Sequence, residues 1–308
     1  MRAVGIDLGG TKIAACLFDS DWSPRHRMRV STPTDSYDAM IAAVAGIASD
    51  LRDRAGDPAL PVGIGMPGVV HPETGKAMTA NLPATGRTLI LDLKSAVGGA
   101  VTCGNDCRFF ALSEAMFGAG RGARSVFGLI LGTGVAGGFV SGGALLHSPG
   151  DVSGEIGHLA LPAALVTDHD LPLLTCGCGR RACYETLASG PGLRRIHARL
   201  SDADLPPEDI FTQQADGDAA AIRAVSIWHD ILGELATQLH LSFDPEVIVL
   251  GGGLSNAPGL VHAMTDALST ATLCNTRPPK ILLAEFGDDS GVRGAAYAAW
   301  SAAQRQAA

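Results

Sequence analysis

The chain opens with two short apolar runs, 3–8 and 12–18, separated by Gly9-Gly10-Thr11. That pattern predicts two strands folded about a glycine turn. Over 37–54 the period changes: Met40, Ile41, Val44, Ile47, Ala48 and Leu51 recur at helical spacing. Residues 61–66 read as a buried strand ending at Pro67-Gly68, and 97–103 as a further strand. A helix is predicted over 107–117, just after Asn105-Asp106. A second hairpin follows, with apolar runs at 126–131 and 135–140 about Gly132-Thr133-Gly134. It echoes the first and suggests an internal duplication. Beyond it the pattern predicts helices at 190–200 and 218–242. A buried strand at 247–250 ends in Gly251-Gly252-Gly253. A helix at 258–271, a strand at 280–284 and an Ala-rich helix at 291–303 complete the chain. Alternating strands and helices mean an α/β protein. No long polar linker divides it, so two α/β lobes about a cleft fit better than two separate beads.

Composition narrows the function classes. At 308 residues and 46% hydrophobic, the chain can bury a sizeable core. No stretch approaches the roughly 18–20 uninterrupted apolar residues of a membrane span. Met1 leads straight into the first strand with no apolar leader, so a cytoplasmic enzyme is expected. The net charge of −8 argues against a nucleic-acid partner. The basic cluster Arg25-His26-Arg27-Met28-Arg29 reads as a solvated strand edge. Seven cysteines, an odd number, argue against a disulfide framework. Cys16, Cys103, Cys107 and Cys274 are scattered, whereas Cys176, Cys178 and Cys183 are not.

The glycine turns come first among the candidate chemistry. Without a Cβ, a backbone can approach a polyphosphate and offer its N–H groups. Asp7 stands at a strand end, followed by Gly9, Gly10, Thr11 and Lys12. Asp7 could hold Mg²⁺, and Thr11 with the backbone could hold phosphate oxygens. The same residues also suit a plain hairpin turn. Gly132-Thr133-Gly134-Val135-Ala136-Gly137 matches the dinucleotide fingerprint literally, but that site needs a helix next. Gly138-Phe139-Val140-Ser141-Gly142-Gly143 follows instead. No P-loop signature is present. The third turn, with Gly252 and Gly253, suits close approach to a nucleoside.

Cys176-x-Cys178-x₄-Cys183 supplies three thiolates, one ligand short of tetrahedral zinc. His158, with 17 residues between it and Cys176, completes a Cys₃His set. The alternative is three reduced thiols in a loop. Asn105-Asp106, between a strand and a helix, places a carboxylate that can take a proton from a sugar hydroxyl. A helix N-cap is the competing role for Asp106. Glu155 and Glu185 add carboxylates beside the cysteine cluster, able to accept hydrogen bonds from vicinal hydroxyls.

Taken in order, Asp7-Leu-Gly-Gly-Thr-Lys12, Asn105-Asp106, Leu131-Gly-Thr-Gly134, Glu155-x-Gly-His158, the cysteine block through Glu185, and Gly251-Gly-Gly253 resemble the ROK family of sugar kinases and repressors. The resemblance implies a two-lobed actin-like ATPase (ribonuclease H-like) fold. Its lobes would be 1–113 plus 290–308, and 114–289 with the zinc loop. It implies Asp106 as general base and Asn81, Asn105, Glu155, His158 and Glu185 as sugar ligands. Turns 9–12 and 132–134 would cradle the phosphates of MgATP, and 251–253 the nucleoside. The cofactors implied are ATP, Mg²⁺ and a structural zinc, and the assembly a homodimer. Within the family, 80–86 resembles the N-acetylglucosamine kinases, whereas Asp289-Ser-Gly-Val-Arg-Gly294 resembles the fructokinases as closely. Phosphorylation of the C6 hydroxyl of N-acetylglucosamine is therefore expected, with fructose, mannose, glucose or N-acetylmannosamine as alternatives. ROK repressors carry an N-terminal helix-turn-helix, for which a first strand at residue 3 leaves no room. A sugar sensor without kinase activity is the remaining rival. Three positions depart from the family: Ala182 replaces a Gly before the last cysteine, and Cys107-Arg108 replaces the common Ala-Asn.

Overall fold

The computed structural model describes residues 1–308 except Ala80, Thr272, Cys274, Asn275, Asp288 and Ala308. Cys274, and Ala80 at the head of the 80–86 segment, therefore lie outside the described residues. Contacts divide the chain into two compact units. The first is Met1–Gly118, Ala144–Gly154 and Phe286–Ala308; the second is Ala119–Gly143 and Glu155–Glu285.

The first unit begins with the predicted hairpin, β1 (Ala3–Leu8) and β2 (Lys12–Phe18), continued by β3 (Pro24–Ser31). After α1 (Tyr37–Ala55) come β4 (Val62–Met66), the short β5 (Val69–Val70) and β6 (Ala77–Met78), α2 (Leu89–Val97), β7 (Val101–Asn105) and α3 (Asp106–Met116). The sheet order is β3-β2-β1-β4-β7, antiparallel in the hairpin and parallel from β1 to β7. The basic cluster lies on the edge strand β3, where Arg25 pairs with Asp19 and Arg27 with Asp289. That is a solvated edge managed by charge.

One strand needs correction. The run read as a strand over 97–103 splits. Leu89 and Leu93, four apart, bury one face of α2 instead. Gly98 and Gly99 then take φ of 64° and 71°, a bend that starts β7 only at Val101.

In the second unit the second hairpin is β8 (Ser125–Leu131) and β9 (Val135–Ser141); β10 (Ala144–Leu145), next in the chain, is counted in the first unit. Then follow α4 (Ala163–Asp168), α5 (Glu185–Ala188), α6 (Gly190–Ser201), α7 (Pro207–Ala215), α8 (Ala219–Phe243), β11 (Val247–Gly251), α9 (Leu260–Ala271) and β12 (Lys280–Leu283). β8 is antiparallel to β9 and parallel to β11, which is parallel to β12. Both units thus repeat one plan: a glycine-turn hairpin whose first strand carries parallel strands on its other side. The second core gathers Trp228, Ile231, Leu232 and Leu235 of α8 against Leu129, Leu131, Ile248 and Leu250 of the sheet.

The last helix, α10 (Asp289–Ala307), packs on the first sheet. A Cβ on Gly5 would run into the Val292 carbonyl, one on Gly63 into that of Ala295, and one on Gly294 into that of Phe109. These three glycines let α10 lie directly on the sheet and on α3. The fully buried Glu114 of α3 accepts the Ser290 hydroxyl at 2.6 Å, anchoring the start of α10. That start lies beside Asp7: a Cβ on Gly291 would stand 3.9 Å from the Asp7 carboxylate.

Candidate active site

In the first unit, turn 9–12 is tightened by Gly9 N–H to the Lys12 carbonyl at 3.0 Å. The Thr32 hydroxyl donates to the Gly9 carbonyl at 2.7 Å. Thr11 is exposed, so the turn presents itself to solvent. Gly10 lies against Asn81: a Cβ there would come within 2.7 Å of the Asn81 Cβ. Asn81 is exposed with φ of 61°, a conformation Asn tolerates better than most residues. The structure therefore brings the first phosphate-type turn and Asn81 together.

Asn105 and Asp106 join β7 to α3. The N-cap is Asn105, whose Oδ1 accepts the Arg108 N–H at 3.2 Å. Its Nδ2 donates to the Gly68 carbonyl at 3.2 Å, so both ends of the amide are fixed. Asp106 is the first helical residue and is released from the capping role. Its Oδ1 accepts the Cys107 N–H at 2.8 Å. Burial pushes the Asp106 carboxyl above the ordinary aspartate range, against the hydrogen bonds from the Cys107 N–H and thiol that lower it. A carboxylate with a raised pKa is a stronger base wherever it is ionised.

In the second unit the G-x-G-x-x-G string turns straight back as β9, as expected, and opens no helix. Gly132 N–H bonds the Gly134 carbonyl at 3.0 Å, and Gly190 N–H the Gly132 carbonyl at 2.8 Å. Glu185, at the start of α5, accepts the Val135 N–H at 3.1 Å. A Cβ on Gly134 would sit 2.9 Å from that carboxylate. Gly252, at φ of 83°, crosses the end of β8 so closely that a Cβ would meet the Leu131 carbonyl. Glycine there lets turn 251–253 lie beside turn 132–134.

The segment Glu155-Ile156-Gly157-His158 forms a single 3₁₀ turn over Ile156–His158. Gly157 again permits close approach, its α-carbon facing the Val135 carbonyl. The ligand atoms of His158, Cys176, Cys178 and Cys183 all lie within 4.8 Å of one another. His158 Nδ1 is 3.6 Å from Cys176 Sγ, and Cys178 Sγ is 3.7 Å from Cys183 Sγ. Bonds of about 2.3 Å to sulfur and about 2.0 Å to nitrogen give tetrahedral edges of about 3.8 Å and about 3.6 Å. The donor set thus fits zinc in both chemistry and spacing. His158 Nε2 points the other way, 3.8 Å from Glu155. Burial pushes the Cys183 thiol up to about 12, so a cation is what would hold it as thiolate. Ala182 sits in this loop at φ of 58°, in the left-handed region where glycine is preferred.

A cavity of about 240 Å³ in this unit is lined by Thr133, Cys176, Glu185, Ser189 and Arg195. Arg195, on α6, donates to the Thr186 carbonyl at 2.9 Å and puts a cation beside the phosphate-type turn. Nothing in the sequence singled out Arg195, because one arginine in an amphipathic helix carries no local signal. A larger cavity, about 350 Å³ around His169 and Arg223, contains none of the expected site residues.

The pattern described as the ROK family matches residues 3–302. The N-acetylgalactosamine kinase AgaK of Shewanella sp. (strain ANA-3) is 39% identical over 95% of this chain and 94% of its own length. The N-acetyl-D-glucosamine kinases of Photobacterium profundum and Escherichia coli O157:H7 are each 38% identical over 95% of this chain and 97% of theirs. Among solved structures, a ROK hexokinase from Thermus thermophilus superposes with a TM-score of 0.88 at 32% identity, covering 99% of this chain and 100% of its own. A ROK family glucokinase from Streptomyces griseus, in complex with glucose and AMPPNP, gives 0.76 at 27%, covering 96% and 98%. The fold is the actin-like ATPase fold of these neighbours. Matched along almost its whole length by the family pattern and by relatives of this closeness, the chain belongs to the ROK family.

Proposed function

We propose that this protein is an ATP-dependent kinase that phosphorylates the C6 hydroxyl of N-acetyl-D-glucosamine. The observation that carries the chemistry is Asp106: a carboxylate at the first position of α3, desolvated, and held by the Cys107 N–H. Asp106 accepts the C6 proton as that oxygen attacks the γ-phosphorus in line, and ADP leaves. Asn81, Asn105, Glu155, His158 and Glu185 orient the sugar through its hydroxyls. Turns 9–12 and 132–134 receive the phosphates, and turn 251–253 the nucleoside. Asp7 would hold the Mg²⁺ that comes with ATP, which when bound would supply charge neutralisation. Since phosphoryl transfer asks little covalent work of the protein, positioning and electrostatics dominate.

Zinc is proposed at His158, Cys176, Cys178 and Cys183. Its role there is to fix the His158 ring through Nδ1, leaving Nε2 for the sugar. The two units are proposed as the small and large lobes of the kinase, working in the cytoplasm as a homodimer. Among the described residues no helix is long and apolar enough to cross a membrane.

The relatives favour an N-acetylated hexosamine. Relatives named for N-acetylglucosamine, at 37–38% identity, and a relative named for N-acetylgalactosamine, at 39%, differ by only one or two percentage points. N-acetylgalactosamine is therefore the second reading. A coupled ADP-release assay with MgATP and N-acetylglucosamine, N-acetylgalactosamine, N-acetylmannosamine, glucose, mannose and fructose separates them. The proposal expects N-acetylglucosamine to lead in kcat/KM by tenfold or more, about 1.4 kcal/mol of discrimination. A lead for N-acetylgalactosamine overturns the sugar assignment and keeps the kinase. No stimulation by any sugar overturns both.

A further inference from the structure

Two residues past the proposed base, the family's common Asn is replaced by Arg108, and the structure shows where that arginine goes. It is only 6% exposed, although it stands in the first turn of a helix. Its guanidinium reaches 43 residues along the chain: Nη1 meets the Asp151 carboxylate, and Nη2 donates to the Leu146 carbonyl. Burial works against both charges, pushing Arg108 down and Asp151 up. A desolvated ion pair persists only where its hydrogen bonds are good, and this one has a forked set. The segment so gripped is a strap, 144–154. Within the strap the Gly150 carbonyl also accepts the Val70 N–H at 3.4 Å.

Arg108 is tied into the site at its other end as well. Its backbone N–H holds Asn105 Oδ1, and the neighbouring Cys107 N–H holds Asp106 Oδ1. A pull on the Arg108 side chain therefore acts on the two amides that orient the proposed sugar ligand and the proposed base. We propose that Arg108 and Asp151 are a positioning pair: by clamping the strap to the first turn of α3 they set the direction of the Asp106 carboxylate. This rests on the assignment of Asp106 as base. The pair touches no substrate; it acts through the helix turn.

The test compares Arg108→Met, Arg108→Lys, Asp151→Asn and the double variant Arg108→Met/Asp151→Asn with the parent, below the melting range of each. Hydrogen exchange at Cys107 and Arg108 is followed alongside kinetics. Arg108→Met should lower kcat by tenfold or more while KM for ATP stays within twofold. It should also shift the acid limb of the pH–rate profile and speed exchange at Cys107 and Arg108. The lysine variant should recover part of the loss. The double variant, which leaves no orphaned charge and so guards against a single variant that does not fold, should be no worse than the arginine single. Parental kcat and acid limb in Arg108→Met would overturn the proposal, as would faster exchange confined to 144–154. Additive losses in the double variant would also overturn it. If the parent phosphorylates no sugar, the kinase reading fails, and exchange at Cys107 and Arg108 still decides the pair.

Discussion

His158 turns Nδ1 to the sulfur of Cys176, 3.6 Å away, so the nitrogen that meets the cysteine cluster is not the one that faces Glu155. One ring thus turns one nitrogen to the cysteine cluster and the other to Glu155, a proposed sugar ligand. If zinc holds that ring, removing it should disturb both. Cys178 is the exposed member of the set, so Cys178→Ser deletes a ligand with little change in packing. Structural zinc contributes folding free energy directly. Loss of several kcal/mol corresponds to a fall in melting temperature of about 10 °C or more, at roughly 2–4 °C per kcal/mol for units of this size. Elemental analysis should find one zinc per chain in the parent, and calorimetry should find this fall in the variant. A metal-free parent with the same melting temperature would contradict it.

Ala182 carries the opposite kind of prediction. Its φ of 58° costs an L-residue roughly 1 kcal/mol or more relative to glycine. Ala182→Gly gives back some of that through the freer unfolded chain, about 0.4–1 kcal/mol. The net expected is a stabilisation of about 0.5 kcal/mol, seen as a rise of about 1–2 °C in melting temperature. A fall would mean that the loop holds Ala182 without strain.

Glu185 couples the second glycine turn to the sugar assignment, because it accepts the Val135 N–H just past Gly134. Glu185→Ala should raise KM for the sugar and KM for ATP together, each by about tenfold, the worth of about 1.4 kcal/mol. Steady-state kinetics with each substrate varied in turn is the check. A change in sugar KM alone would show that the turn stands without the carboxylate.

Much of this arrangement is legible in the sequence because its causes are local. Both hairpins follow from short apolar runs around glycines, and the helices predicted over 107–117 and 218–242 are α3 and α8. The cysteine cluster is legible because its ligands are dense along the chain. α7 leaves almost no pattern, because Ile210 is its one buried residue. α2 leaves little pattern as well, because its buried residues are the single pair Leu89 and Leu93. The Arg108–Asp151 pair, the Glu114–Ser290 bond and the cavity position of Arg195 are contacts between distant segments. Patterns along the chain do not encode partners 43 or 176 residues apart.

The raised pKa of Asp106 fixes the sign of two pH effects. With Asp106 as the proposed base, kcat/KM should fall as pH drops through a value above the ordinary aspartate pKa of about 3.9. Stability moves the other way. A folded pKa above the unfolded one means that the folded state binds the extra proton in the window between them. This group therefore stabilises below that window, and its stabilisation is lost as pH rises through the folded pKa. Above its folded pKa the ionised Asp106 is a cost to the fold, and there Asp106→Asn should raise the melting temperature. A pH–rate profile and thermal unfolding of the variant check the two signs separately.

The most direct test of the account is turnover by Asp106→Asn, with sugar binding measured on the same preparation by calorimetry. Removing a general base costs about 10²–10⁴ in rate. The account predicts a kcat lower by that factor, with the sugar Kd within about threefold of the parent's. A variant that retains kcat within tenfold would contradict the assignment of Asp106 as base and, with it, the mechanism built on the start of α3.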